Sequence, residues 1–180
     1  MIPRDIKIPI IIIDQNKAIG NTSWARRICA ICSLKMVLNY FDKKTAAASI
    51  TRLVKEGLKN DGYLVGVGWK HKALVKLARN RGIALRRLFA KTPAYRARGL
   101  ALIRYNISHH APVIVSMRSL RNTRGGHIVV IHGIKIDTKN TVAGYYIADP
   151  DGRGKGNRYF LSREQFAALW RGGLLYALSF

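Results

Sequence analysis

Residues 29–41 read CAICSLKMVLNYF, and the parsing of this stretch decides how the rest of the chain is read. Ile28, Ile31, Cys32, Met36, Val37 and Tyr40 recur at helical spacing, which predicts a helix over Ile28 to Phe41 with Cys29 in its first turn. Asp42-Lys43-Lys44 ends it. A thiol attacks as its thiolate, and the free N–H groups of a helix N-terminus favour that anion. Arg26 and Arg27 stand just upstream, either assisting or simply solvated. A cysteine so placed is by itself an ordinary packing residue, so its chemistry depends on what faces it.

Upstream, Ile8 to Ile13 is β-branched and short, as in a buried strand or extended arm, and a polar loop, Asp14 to Ser23, follows. Downstream, a second helix is expected from Thr45 to Leu58, with Gly57 and Gly62 bracketing its exit. Gly66 and Gly68 make a loop into a third helix, Lys70 to Asn80, which stops at Gly82. A short strand, Ile83 to Phe89, and a helix, Arg96 to Ile107, complete the first part.

The pattern then changes. Pro112 to Met117, His127 to Ile134 and Tyr145 to Ala148 are β-rich runs separated by polar turns, with Tyr159 to Leu161 a further strand. Ser162-Arg163-Glu164-Gln165 is a capping box opening a helix through Phe166, Leu169 and Trp170, and a strand from Leu174 to Ser179 closes the order. The fold class is α+β, with N-terminal helices packed on a C-terminal antiparallel sheet.

A thiolate needs a base, and the base needs orienting. His127 opens a strand after Gly125-Gly126, at an edge beside permissive backbone. His132 lies within an apolar run and reads as a core histidine, while His71, His109 and His110 have no partner spacing to favour them. Asp149 ends the next strand, and antiparallel pairing brings that end beside the start of the strand before it. Pro150 and Gly152 give Asp149 a second reading as a turn residue, the commoner reason for a DP-x-G sequence. In the order Cys, His, Asp the three define a candidate nucleophile, base and orienting acid.

The helix at Cys29–Phe41 resembles the corresponding helix of C39-like peptidases, the papain-like relatives of bacteriocin-processing domains. GWKHKALVKLARNRG (Gly68–Gly82), PVIVSM (Pro112–Met117), GGHIVVIHG (Gly125–Gly133), YYIADPDGR (Tyr145–Arg153) and YFLSREQFAALWRG (Tyr159–Gly172) are similar to later segments of that family, in the same order. The resemblance implies one papain-like peptidase domain over residues 1–180, with Cys29 as nucleophile, His127 as base and Asp149 as orienting acid. It also implies that Gln15, the only glutamine before Cys29, donates to the oxyanion. A peptide or protein is the implied substrate, cut after small residues in a leader, with no metal or cofactor required. The chain departs from the family at Ala30, where Gly is usual, and at Ser33, where many relatives carry a second cysteine.

Bulk properties narrow the alternatives. The 180 residues, 48% hydrophobic, are enough for one domain with a core of its own. The 32 Lys and Arg against 9 Asp and Glu give a formal charge of +23, which predicts general attraction to polyanions. Those cations are scattered, however, and the densest run, Arg79 to Arg87, alternates with Leu77, Ile83, Leu85 and Leu88 around it. No helix-turn-helix, RRM, KH or zinc-finger signature accompanies them, which disfavours a basic binding module. Cys29-Ala30-Ile31-Cys32 is a CxxC, as in thiol–disulfide oxidoreductases, yet those place different strands around such a helix. A zinc site would need a second CxxC or a nearby histidine pair. The five-residue apolar run Pro9 to Ile13 is too short for a signal core, and no stretch has membrane-spanning length. The expectation is a cytoplasmic protein, with non-classical export left open.

Overall fold

The computed structural model describes residues 2–20, 23–42, 48–118, 126–153 and 156–177. At its centre lies the helix α2, Cys29–Phe41. Every residue from Ala30 to Leu38 is buried, including Ser33 and Lys35. A helix apolar nearly all round must be covered on all sides. Here α3, Ile50–Lys59, and α4, His71–Arg79, cover one side, and the sheet covers the other.

Ser49 starts α3, its hydroxyl accepting from the Arg52 N–H. The helix therefore begins later than the expected Thr45, a position outside the described residues. Arg81 joins the exit of α4 to α3 through a two-pronged contact with Glu56, 2.7 Å at its shorter arm. Between these helices, where a loop was expected, two-residue strands β2 (Tyr63–Leu64) and β3 (Gly68–Trp69) form a hairpin. Gly66 (φ +76°) and Gly68 (φ +117°) supply the left-handed backbone that closes it. Trp69 then packs edge-on against Tyr63 and donates from its indole to the Arg27 carbonyl at 2.8 Å.

The main sheet comprises β1 (Arg4–Lys7), β4 (Leu85–Phe89), β5 (Val113–Arg118), β6 (Gly126–Ile136), β7 (Val142–Ala148), β8 (Arg158–Ser162) and β9 (Trp170–Ala177). Its order is β4-β9-β5-β6-β7-β8, with β1 beside the far half of β6, and every pairing is antiparallel. Side-chain alternation divides its residues between two cores. Ile114, Ile128, Val130 and Leu175 pack with α2, α3 and α4. Val113, Val115, Val129, Ile131 and Leu174 pack on the other face, against α5 (Pro93–Ser108) and α6 (Arg163–Leu169).

The α+β class with an antiparallel sheet therefore holds, with one refinement: helices cover both faces, and β1 and β4 come from the first half of the chain. Three local expectations change. The strand near the start is Arg4–Lys7, not Ile8–Ile13, because Pro9 has no N–H to continue the ladder after Ile8 bonds the His132 carbonyl. Asp14 caps a one-turn helix, α1 (Gln15–Ala18), inside the expected loop. Trp170 leaves α6 to begin β9, since Gly172 (φ +84°) turns the chain and the indole bonds the Gly173 carbonyl at 3.0 Å.

Candidate active site

Cys29 is the first residue of α2 and half-buried, so its sulfur meets the surface at the helix N-terminus. Three residues on, Cys32 is wholly buried, and burial, with Cys29 and Asp14 nearby, pushes its thiol far above the usual range. That leaves no accessible partner for CxxC redox chemistry. The antiparallel sheet is also not the arrangement of a thioredoxin-like fold.

His127 is the second residue of β6. Because Val130 pairs with Ala148, the start of β6 lies beside the end of β7, where Asp149 follows. The His127 ring donates from Nε2 to Asp149 Oδ1 at 2.6 Å. The Cys29 thiol lies close enough to the ring to help hold its proton, and Nδ1 is the nitrogen not engaged by Asp149. Burial alone would lower the affinity of this imidazole for a proton. The hydrogen bonds to Asp149 and Cys29, and their charges, outweigh burial and push its pKa up to about 10.

Asp149 is itself held from several directions. Its Oδ1 also accepts from the Asp151 N–H at 2.7 Å, and its Oδ2 accepts from the Tyr159 hydroxyl at 2.9 Å. Asn157 clasps its backbone, donating to the carbonyl and accepting from the N–H, both at 2.9 Å. A buried carboxylate with its lone pairs so occupied is fixed in direction. On the opposing wall the Ser33 hydroxyl donates to the Ile128 carbonyl at 2.9 Å, tying the helix of Cys29 to the strand of His127. Sequence reading found Asp149 and Ser33 but neither of these linkages. Tyr159 and Asn157 lie eight to ten residues past Asp149, across a turn.

Gln15 opens α1, is buried, and donates its N–H to the carbonyl of Pro150, the residue after Asp149. Its Oε1 is buried with no hydrogen-bond partner among the described residues. Gln15 is not one of the residues lining the cleft into which Cys29 and His127 open.

That cleft, about 790 Å³, runs from Cys29 and His127 under the β2–β3 hairpin to His71, Phe89 and Ser116. Gly173 is packed against Ser116 and His71 in its floor, where a Cβ would come within 1.8 Å of Ser116 Oγ. His71, for which no role was expected, stacks on Phe89 and sits 3.4 Å from Ser116 Oγ. Burial, and then the charge of Arg87, lower its pKa to about 4.

Helices and an antiparallel sheet meeting at a cleft, with a cysteine on the central helix, define the papain-like class. Residues 7–172 match the Peptidase_C39 like family, and the chain belongs to it; it is a cysteine peptidase. Two solved structures share the fold. One is a double glycine motif protease from an AMS/PCAT transporter in complex with the leader peptide (21% identity, TM-score 0.57, 96% of this chain and 94% of that chain). The other is the peptidase domain of Streptococcus ComA, a bi-functional ABC transporter involved in a quorum sensing pathway (22% identity, TM-score 0.54, 86% and 93%). UfSP from C. elegans is similar over 97% of this chain and 34% of its own (14% identity, TM-score 0.59). No curated protein matches the chain. No helix among the described residues is long and apolar enough to cross a membrane.

Proposed function

We propose that the chain hydrolyses peptide bonds with Cys29 as nucleophile, His127 as general base and acid, and Asp149 holding the imidazole. The observation that carries this reading is the 2.6 Å bond between His127 and Asp149 in a ring that opens, with Cys29, into the same cleft. The Cys29 proton passes to His127 Nδ1, and the thiolate attacks the scissile carbonyl, forming a C–S bond. The negative oxygen is held by the Cys29 N–H, and the Gln15 side-chain amide, outside the cleft lining, is proposed as second donor on the family resemblance alone. His127 then gives its proton to the departing amine as the C–N bond breaks. Water, deprotonated by His127, attacks the thioester and releases the acid, and the thiolate is restored. The family match over residues 7–172 supports a single peptidase domain within 1–180.

A leader peptide cut after small residues is the proposed substrate. This reading is supported by the double-glycine protease that shares the fold.

The test is labelling of the reduced protein with an epoxysuccinate or peptide aldehyde, with mass spectrometry locating the adduct. Rapid modification at Cys29, lost in His127→Ala, is expected. Slow labelling, equal at Cys29 and Cys32 and indifferent to His127, would overturn the reading.

A further inference from the structure

Resting on that peptidase reading, we propose that the substrate segment bound in the cleft is acidic, recognised by Arg26, Arg27 and Arg171. All three are exposed and line the cavity that holds Cys29 and His127. They approach from opposite walls. Arg26 and Arg27 end the 3-10 turn just before Cys29, on the helical side, and Arg27 is fixed there by the Trp69 indole on its carbonyl. Arg171 belongs to β9, and its guanidinium lies over Gly126, next to His127: a Cβ on that glycine would sit 2.6 Å from Nη1. A chain laid across Cys29 therefore meets fixed positive charge on both walls.

Nothing in the cleft neutralises it. No aspartate or glutamate is among the described residues lining the cavity. None of the three guanidiniums forms an ion pair among the described residues. The carboxylates that come near are already engaged, Asp61 by Lys70 and Asp149 by His127. Elsewhere Glu56 holds Arg81 and Asp151 holds Arg153. Arg27 lies over the Trp24 ring, which leaves its charge in place. Since guanidinium stays charged at any physiological pH and suits carboxylate in a two-pronged bond, the trio, free of ion pairs among the described residues, selects Asp- or Glu-bearing peptide. It also rejects a basic one by like-charge repulsion.

The experiment uses matched fluorescent peptides carrying Glu, Gln or Lys on both sides of a Gly-Gly bond. Binding is followed by anisotropy in the Cys29→Ala protein, and cleavage in the wild type. The triple variant R26Q/R27Q/R171Q is compared with R52Q/K55Q/K59Q, which removes equal charge from the exposed face of α3. We expect the Glu peptide to bind best and to lose about tenfold in affinity with the cleft variant, against about twofold or less with the α3 variant. The preference should fade as salt rises. Equal losses from both variants would assign the attraction to net charge and overturn the proposal, as would indifference to Glu, Gln and Lys. Charge-selective binding without cleavage of any peptide would count against the peptidase reading alone. Cleavage of all three at equal rates would count against the charge reading alone.

Discussion

Two histidines open into the same cleft and have opposite character. His127 holds its proton up to about pH 10, whereas His71 gives its proton up near 4. Burial pulls both in the same direction, against the charged form. The difference is in the neighbours. His127 has the Asp149 carboxylate and the Cys29 thiol, while His71 has a hydroxyl, a phenyl ring and the cation Arg87. A buried imidazole is made a base by the carboxylate behind it, and one without that support becomes a neutral wall.

The sharpest way to break this comparison is to exchange the losses. His127→Ala should lower cleavage by about a thousandfold or more, as loss of the base in the proposed triad would. His71→Phe should change it by no more than about threefold, the ordinary cost of a perturbed cleft wall. Equal losses in kcat/KM would show that the two ends of the cleft act together. Next, Asp149→Asn should cost about a hundredfold or more by allowing the wrong ring tautomer. It should also move the His127 midpoint, followed by NMR of the ring protons, down from about 10. A smaller effect belongs to Tyr159→Phe. One hydrogen bond to the carboxylate is worth about 1–2 kcal/mol, so activity should fall by about tenfold with KM little changed.

The smallest effect, and the one that separates the two rings most cleanly, is on stability against pH. His127 has a raised pKa, so its contribution is complete below its ordinary value of 6.5 and is lost as pH rises through about 10. His71 has a lowered pKa, so its contribution is present above 6.5 and is lost as pH falls through about 4. In thermal melts, His71→Phe should flatten the acid limb only, and Asp149→Asn the alkaline limb only. A change on the wrong limb would reverse the assignment of neighbours.

How much of this could be read beforehand follows from where each feature is encoded. The helix at Cys29 was legible because its periodicity and its ending at Asp42 are local. The adjacency of His127 and Asp149 was legible because consecutive antiparallel strands bring one start to the other's end. The neighbours of His71 were not, since they come from β4 and β5, joined to α4 only through tertiary packing. Nor was the clasp of Asn157 and Tyr159 around Asp149, because its turn and hydroxyl geometry leave no periodic trace. The β2–β3 hairpin was too short for any pattern to mark it.

The placement of β9 between β4 and β5 bears on when the protein can first act. As a nascent chain leaves the ribosome, Cys29, His127 and Asp149 emerge well before residues 170–177. Until those last strand residues arrive, β4 has no neighbour in the sheet, and the cleft lacks both Gly173 and Arg171. The residues proposed for chemistry thus precede, in order of synthesis, the strand that completes the cleft they open into.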